Sequence, residues 1–287
     1  DDTVPARRSI TVEDLLTCRF GFGSIMAQPG IYPIQDAEAE LELQTLGWPW
    51  PPKPLTSDEW IARFATLPLL EQPGEAWRYH TGIQILGIYL ERLSGQSLEE
   101  FLRVRIFEPL GMAATSFSLP PGAKGRLTPA YLPDDESEGL QVFDEPETSL
   151  WTNPPLMANA AGGLLSTIDD LWAFVSMILA DGKGVLKPES VAAMTRNHLT
   201  ATQRASAPMF LGEHGGWGYG MAAPGPVTGD PPKPWGFGWG GGTGTEWRSD
   251  PVRGLTGILL TQRGVNSPAP PRHYSEFWSA AYDALPS

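Results

Sequence analysis

The sequence is poor in the residues that build disulfides and metal sites. Its 287 residues include one cysteine, Cys18, and four histidines, His80, His198, His214 and His273, which lie in different segments. A single cysteine excludes an internal disulfide, and the histidines do not have the spacing of a zinc site. We therefore expect no bound metal and no cofactor.

Basic residues are also scarce. Lysine and arginine total 20 against 33 aspartate and glutamate, so the formal net charge is -13 and the pI is near 4.7. Binding to nucleic acid or to anionic lipid depends on clustered Lys and Arg, so neither partner is expected. A small uncharged substrate fits this composition better.

The sequence has no apolar run as long as a membrane span, and its acidic start at residues 1–5 is no signal peptide. We therefore expect no membrane anchor. The cytoplasm is favoured, and export stays open.

Apolar periodicity predicts the fold class. Hydrophobic residues make up 41% of the chain and recur at helical spacing over 56–70, 81–93, 96–107, 169–180 and 188–197. Gly, Pro and Trp dominate residues 208–244, which is typical of short strands and turns; residues 255–262 form a predicted strand and 275–284 a closing helix. We predict an α+β fold in one unit, 1–287, with a mostly helical region over about 11–200 and a sheet region over about 208–287.

The most informative segment is residues 73–95, PGEAWRYHTGIQILGIYLERLSG, in which Tyr79 precedes a predicted helix. It resembles the tyrosine segment of the serine β-lactamase-like superfamily, which includes class C β-lactamases and family VIII carboxylesterases. In that family the tyrosine works with a serine nucleophile and a lysine spaced Ser-x-x-Lys. The resemblance implies that Tyr79 is a catalytic base.

Four further segments resemble the same family in the same order. They are ITVEDLLT at 10–17, FLRVRIFEPLGM at 101–112, AGGLLSTIDDL at 161–171 and GWGGGTGT at 238–245. The resemblance implies a β-lactamase/transpeptidase-like fold, with an antiparallel sheet flanked by helices, a helical subdomain, and an active site in the cleft between them.

The family's nucleophile motif is missing from the sequence. The five lysines are preceded three positions earlier by Trp50, Pro121, Ala180, Gly184 and Asp230, so no Ser-x-x-Lys exists. The resemblance implies that the chain is the C-terminal portion of a catalytic unit. We expect its partner to be an N-terminal fragment or chain that carries the nucleophilic serine and the lysine.

The glycine-rich segment supplies the other candidate site residues. By position, the resemblance makes the Gly242 N–H one donor of an oxyanion hole, with Trp239, Gly240 and Gly241 on the substrate-binding edge. A tight turn or a bulge is the simpler interpretation of three glycines after a tryptophan. Trp239 stands where penicillin-recognising relatives have the lysine of Lys-Thr-Gly.

Thr81 and His80 are the remaining candidates for substrate binding. Thr81 replaces the asparagine of the family's Tyr-x-Asn, and His80 adjoins Tyr79.

Tyr79 also has a simpler interpretation. On pattern alone, a tyrosine before a helix is more often a buried residue with one hydrogen bond. A free phenol has a pKa of about 10, so a catalytic Tyr79 needs a nearby cation.

Other candidates are weaker. Ser166 is predicted to be a helix cap rather than a nucleophile, and no serine lies in a Gly-x-Ser-x-Gly elbow. Four aromatic residues could either line an apolar acyl pocket or belong to the core: Trp151, Phe210, Trp217 and Phe237.

The predicted function is that of a serine carboxylesterase, which hydrolyses short-chain esters through an acyl-enzyme. One alternative is a β-lactamase or D-alanyl peptidase, which the residues at positions 81 and 239 disfavour. Another alternative is a non-catalytic binding protein of the same fold.

Overall fold

The structure is a computed structural model that describes residues 3–43, 54–134, 139–265 and 271–286. The helices of these ranges are α1 (Val12–Leu16), α2 (Pro33–Glu40), α3 (Ser57–Phe64), α4 (Thr81–Ser94), α5 (Leu98–Leu102), α6 (Glu108–Leu110), α7 (Ile168–Leu179), α8 (Pro188–Thr195), α9 (Ala201–Ala205), α10 (Pro208–Leu211) and α11 (Arg272–Asp283). A π-helical turn, Arg103–Phe107, joins α5 to α6, and short 3-10 turns lie at Lys124–Arg126 and Leu150–Thr152.

Local capping sets the helix ends. Thr11 and Asp14 form a reciprocal capping box at the start of α1, and Thr56 and Glu59 form another at α3. Helix α4 ends at Ser94 and is capped by Gly95, whose φ of 69° is the left-handed conformation that stops a helix. Helix α3 ends at Phe64, earlier than the predicted residue 70, and the following segment packs onto the same core as turns.

The start of α7 differs from the prediction by one residue. Its N-cap is Thr167, whose Oγ1 accepts the backbone N–H of Asp170 at 3.3 Å. The hydroxyl of Ser166 lies 2.8 Å from that of Thr115 instead. Ser166 is therefore not the cap, and it is held in a structural hydrogen-bond network.

Five antiparallel strands form the main sheet in chain order: β3 (Gly215–Trp217), β4 (Ala222–Pro224), β5 (Phe237–Gly241), β6 (Thr245–Asp250) and β7 (Leu255–Leu260). Helices cover both faces of this sheet. Trp247 packs with Val175 of α7, while its neighbour Glu246 accepts the indole N–H of Trp278 in α11 at 2.8 Å. Alternation along a strand sends successive side chains to opposite faces, which accounts for the two layers.

A two-stranded antiparallel sheet interrupts the predicted mostly helical region. It pairs β1 (Ala130–Pro133) with β2 (Leu140–Asp144). Residues 135–138 between them lie outside the described residues. The α+β class, with an antiparallel sheet flanked by helices, is confirmed.

Hydrophobic clusters form the core of the helical region and join it to the sheet. One cluster lies among α1, α3 and α4 and includes Phe20, Trp60 and Phe64. A second joins the helical region to the sheet, because it contains Trp77 from the former and Trp217 from the latter. Among the described helices, none combines the length and the apolar character that crossing a bilayer requires.

Candidate active site

Tyr79 lies at the junction of the two regions, just before α4. Its carbonyl accepts the backbone N–H of Ser24 at 3.0 Å, and the N–H of Arg78 donates to the Cys18 carbonyl at 2.7 Å. These bonds align residues 78–79 with the segment 18–24. The tyrosine backbone is therefore fixed by contacts from a distant part of the chain.

Strand β5 brings Trp239 to Tyr79. The indole Nε1 of Trp239 donates to Tyr79 Oη at 2.8 Å, and the two ring centroids are 5.4 Å apart. Trp239 pairs with Trp247 in the β5–β6 register, which fixes its side-chain direction. Two residues that are 160 positions apart, and that the resemblance assigned to one site, are thus in direct contact.

Aromatic rings enclose the Tyr79 ring. Phe210 of α10 has its centroid 4.9 Å away, Trp77 stacks at 5.8 Å, and Trp217 meets the ring edge-on at 6.4 Å. Burial in this cluster raises the pKa of the Tyr79 phenol above 10, and the hydrogen bond from Trp239 opposes that rise. Tyr79 is therefore a neutral phenol at pH 7 in this arrangement.

His80 and Thr81 lie behind the tyrosine. The exposed fractions of these residues are 7% and 0%, and in the described part of the chain Thr81 Oγ1 has no hydrogen-bond partner. Burial lowers the pKa of His80 to about 4, so its imidazole is neutral. Neither side chain is open to solvent, and their role in substrate binding stays a prediction.

The three candidate glycines lie where strand β5 ends and the turn to β6 begins. Gly240 and Gly241 pair with Glu246 and Thr245 in the β5–β6 ladder. Gly242 follows in the turn, is exposed, and has its carbonyl bound by the N–H of Val265 at 2.9 Å. A Cβ built on Gly242 meets no atom within 4 Å, so open space lies next to its backbone. Its role as an oxyanion donor stays a prediction.

The four aromatic residues that could line an acyl pocket divide into two groups. Phe210 and Trp217 contact Tyr79, whereas Phe237 packs into the core between the sheet and α7. Trp151 is buried and donates its indole N–H to the Gly163 carbonyl at 3.0 Å. Only the first group lies against the candidate active site.

Sequence reasoning missed Trp77 and Cys18. Trp77 precedes Tyr79 by two residues, and in an extended segment that spacing places both rings on one side. This signal could have identified Trp77. Cys18 carried no comparable signal, because only the folded backbone brings it beside Arg78 and His80.

Comparison with known proteins gives a match along nearly the whole chain. The family profile described as Beta-lactamase matches residues 1–277. Protein Rv1367c of Mycobacterium tuberculosis is 36% identical over 280 residues, covering 91% of this chain and 64% of that protein. Esterase EstB of Burkholderia gladioli is 28% identical over 232 residues, covering 74% of this chain and 56% of EstB. The chain therefore spans less than two thirds of the length of either relative.

Solved structures show the same fold. EstCE1, described as a hydrolase with promiscuous acyltransferase activity, has a TM-score of 0.77 at 22% identity, covering 95% of this chain and 72% of its own. The unliganded simvastatin synthase LovD from Aspergillus terreus has a TM-score of 0.71 at 18% identity, covering 97% of this chain and 69% of its own.

Proposed function

Because this chain belongs to the beta-lactamase family, we propose that it carries the tyrosine and the glycine-rich strand of a serine carboxylesterase. The observation that carries the proposal is the 2.8 Å hydrogen bond from Trp239 Nε1 to Tyr79 Oη. It places an indole, rather than a cation, beside the tyrosine and on the strand that would border a substrate. A site without a cation at this position suits uncharged esters better than substrates that carry a carboxylate.

The relatives support this choice of reaction class. EstB is named an esterase, and a second relative, 29% identical over 280 residues, is named the lovastatin esterase of Penicillium rubens. Ester hydrolysis requires no recognition of an acylamino side chain. An esterase therefore has no use for the asparagine that Thr81 replaces.

The chemistry is acyl transfer in two steps. A serine hydroxyl attacks the ester carbonyl, and its proton passes by way of a lysine and Tyr79 to the departing alcohol oxygen. The Gly242 N–H would donate to the oxyanion that forms. Water, or an alcohol in a transesterase, then attacks the acyl-enzyme, loses its proton to the same groups and releases the acid or the new ester.

We place the serine and lysine on a segment outside these 287 residues, since none of the five lysines follows a serine by three positions. That segment would also supply the cation that a neutral Tyr79 needs. A lysine ammonium near the phenol lowers its pKa by stabilising the phenolate.

A D-alanyl peptidase is the second candidate. A putative D-alanyl-D-alanine carboxypeptidase of Escherichia coli is 26% identical over 287 residues and 95% of this chain. Trp239 disfavours this candidate, because an indole cannot attract the carboxylate of a peptide or a penicillin.

A binding protein of the same fold that lacks catalysis is the third candidate, and it would show no turnover at all.

The deciding measurement is kcat/KM for p-nitrophenyl butyrate and for nitrocefin, with a polypeptide that joins this chain to a Ser-x-x-Lys segment. We expect the ester to be preferred by about a hundredfold or more, as differential binding of the two transition states allows. Equal or better efficiency on nitrocefin would assign a β-lactamase instead.

The residue control in this assay is Tyr79→Phe. It should lower kcat on the ester by about a hundredfold, the effect of removing a general base, while the ring still packs. Tyr219→Phe is the matched control, because it removes a hydroxyl from a ring that stacks on His198 at 4.4 Å. We expect that variant to keep wild-type kcat.

A further inference from the structure

The backbone turns sharply immediately after Tyr79. His80 has φ 77° and ψ -66°, and the N–H of Thr81 donates to the Tyr79 carbonyl at 3.1 Å. This is a three-residue γ-turn with positive φ, which is rare and strained for a residue other than glycine. A strained turn persists only where the surrounding contacts hold it.

Cys18 provides contacts on both sides of the tyrosine. Its carbonyl accepts the N–H of Arg78 at 2.7 Å, and its thiol faces the backbone N–H of His80, which favours the thiolate and partly opposes the effect of burial on the thiol pKa. Cys18 is fully buried and itself has φ 54°. Burial raises the pKa of the thiol to about 12, so it stays protonated and inert at neutral pH. One buried residue thus binds the residue before Tyr79 through its carbonyl and lies against the residue after it through its thiol.

Close packing leaves the segment little freedom. A Cβ on Gly23 would lie 2.6 Å from the Tyr79 carbonyl oxygen. The two backbone segments therefore approach each other so closely that only glycine fits at position 23. The imidazole of His80 packs against the Tyr79 ring at 5.7 Å and 67°. Glycine would adopt a positive φ at both 18 and 80 without strain, whereas this chain carries buried side chains there.

We propose that Cys18 and His80 form a clamp that aims the phenol of Tyr79 at Trp239 and holds it there. Both are positioning residues that act through Tyr79. The catalytic use of the clamp rests on the proposed esterase function, whereas its structural effect does not.

The structural effect is tested on the 287-residue chain by NMR of its indole N–H groups. Trp239 is assigned with Trp239→Phe, and Tyr79→Phe gives the chemical shift of a Trp239 indole that has lost its acceptor. We expect Cys18→Ala to move the Trp239 resonance by about half of that difference or more, because the side chain that faces the His80 backbone N–H and fills the space beside the turn is lost. Cys18→Ser keeps an acceptor and should stay near the wild-type shift. The indoles of Trp151 and Trp278, bonded elsewhere, serve as internal controls.

His80→Gly keeps the test decisive if Cys18→Ala does not fold. Glycine accepts the positive φ but removes the imidazole, so the Trp239 resonance should move in the same direction. A wild-type Trp239 shift in the folded variants would overturn the clamp.

Catalysis provides the second measurement, in the polypeptide joined to a Ser-x-x-Lys segment. Cys18→Ala should lower kcat by about tenfold with little change in KM, and Cys18→Ser should recover most of it, as expected when a proton-transfer group is misplaced. A loss confined to KM would contradict positioning of Tyr79. Absence of ester turnover in the wild type would overturn the proposed function while the NMR result still decides the clamp.

Discussion

Tyr79 is subject to two opposing influences on its phenol. Burial among aromatic rings raises its pKa, and the indole N–H of Trp239 lowers it. An indole only donates hydrogen bonds, so Tyr79 Oη is the acceptor and its own proton is free to point at another group. Trp239 therefore fixes the orientation of the hydroxyl without supplying the charge that a tyrosine base requires.

His80 should make the fold sensitive to acid. Its pKa of about 4 in the folded chain lies below the ordinary value of 6.5, so folding favours the neutral imidazole. The stability that follows is fully present above pH 6.5 and is lost as the pH falls towards 4. Between pH 7 and pH 5 this amounts to about 2 kcal/mol.

Urea unfolding at these two pH values measures the effect. His80→Asn, whose side chain tolerates positive φ, should lose less stability on acidification than the wild type. His214→Asn removes a half-exposed imidazole and is the control, which we expect to retain the wild-type acid loss. Equal acid sensitivity of wild type and His80→Asn would contradict the assignment.

At the scale of elements, the β5–β6 hairpin supports the site through two glycines with opposite surroundings. Gly238 has φ 141°, and a Cβ there would overlap the carbonyl oxygen of Trp247 on the paired strand. Gly242 has open space around it. The close pairing of β5 with β6 therefore requires glycine at position 238. At position 242 the surrounding packing would accept a larger residue.

These glycines give a matched pair of substitutions. Gly238→Ala should lower the free energy of unfolding by about 2 kcal/mol or more. The added methyl group would push β5 away from β6, and the hydrogen bonds between the two strands would be lost. Gly242→Ala should change it by less than about 0.5 kcal/mol. Denaturant melts of both variants check this, and equal stability losses would show that the space beside Gly242 is not open.

At the scale of the whole molecule, one aromatic cluster joins the helical region to the sheet and also encloses Tyr79. Trp77 from the first region and Trp217 from the second meet edge-on at 5.1 Å. Any motion between the regions would therefore change the surroundings of the tyrosine. The proposed site depends on the packing of the entire chain rather than on one segment.

The 287-residue chain should not hydrolyse p-nitrophenyl butyrate by itself. The Ser-x-x-Lys that the proposed mechanism uses is absent from its sequence. Addition of a polypeptide carrying Ser-x-x-Lys should give turnover that Tyr79→Phe lowers by about a hundredfold. Rapid hydrolysis by the chain alone would show that the nucleophile is one of its own residues.

Local signals in the sequence determined much of the fold. The capping residues Thr11 and Thr56 and the stop at Gly95 act within one helical turn, so they could be read from neighbouring residues. The order of the family segments gave the fold class and placed Tyr79 and Trp239 in one site. The cap of α7 was misplaced by one residue because Ser166 and Thr167 are both acceptable caps, and contact with Thr115 decides between them.

The tertiary structure alone decided what surrounds Tyr79. Phe210 and Trp217 are far from it in sequence and meet it where the helical region packs against the sheet, while Cys18 reaches it through contacts inside the helical region. Sequence patterns report interactions over a few residues, whereas the environment of a site depends on close packing between distant segments, which no local pattern encodes.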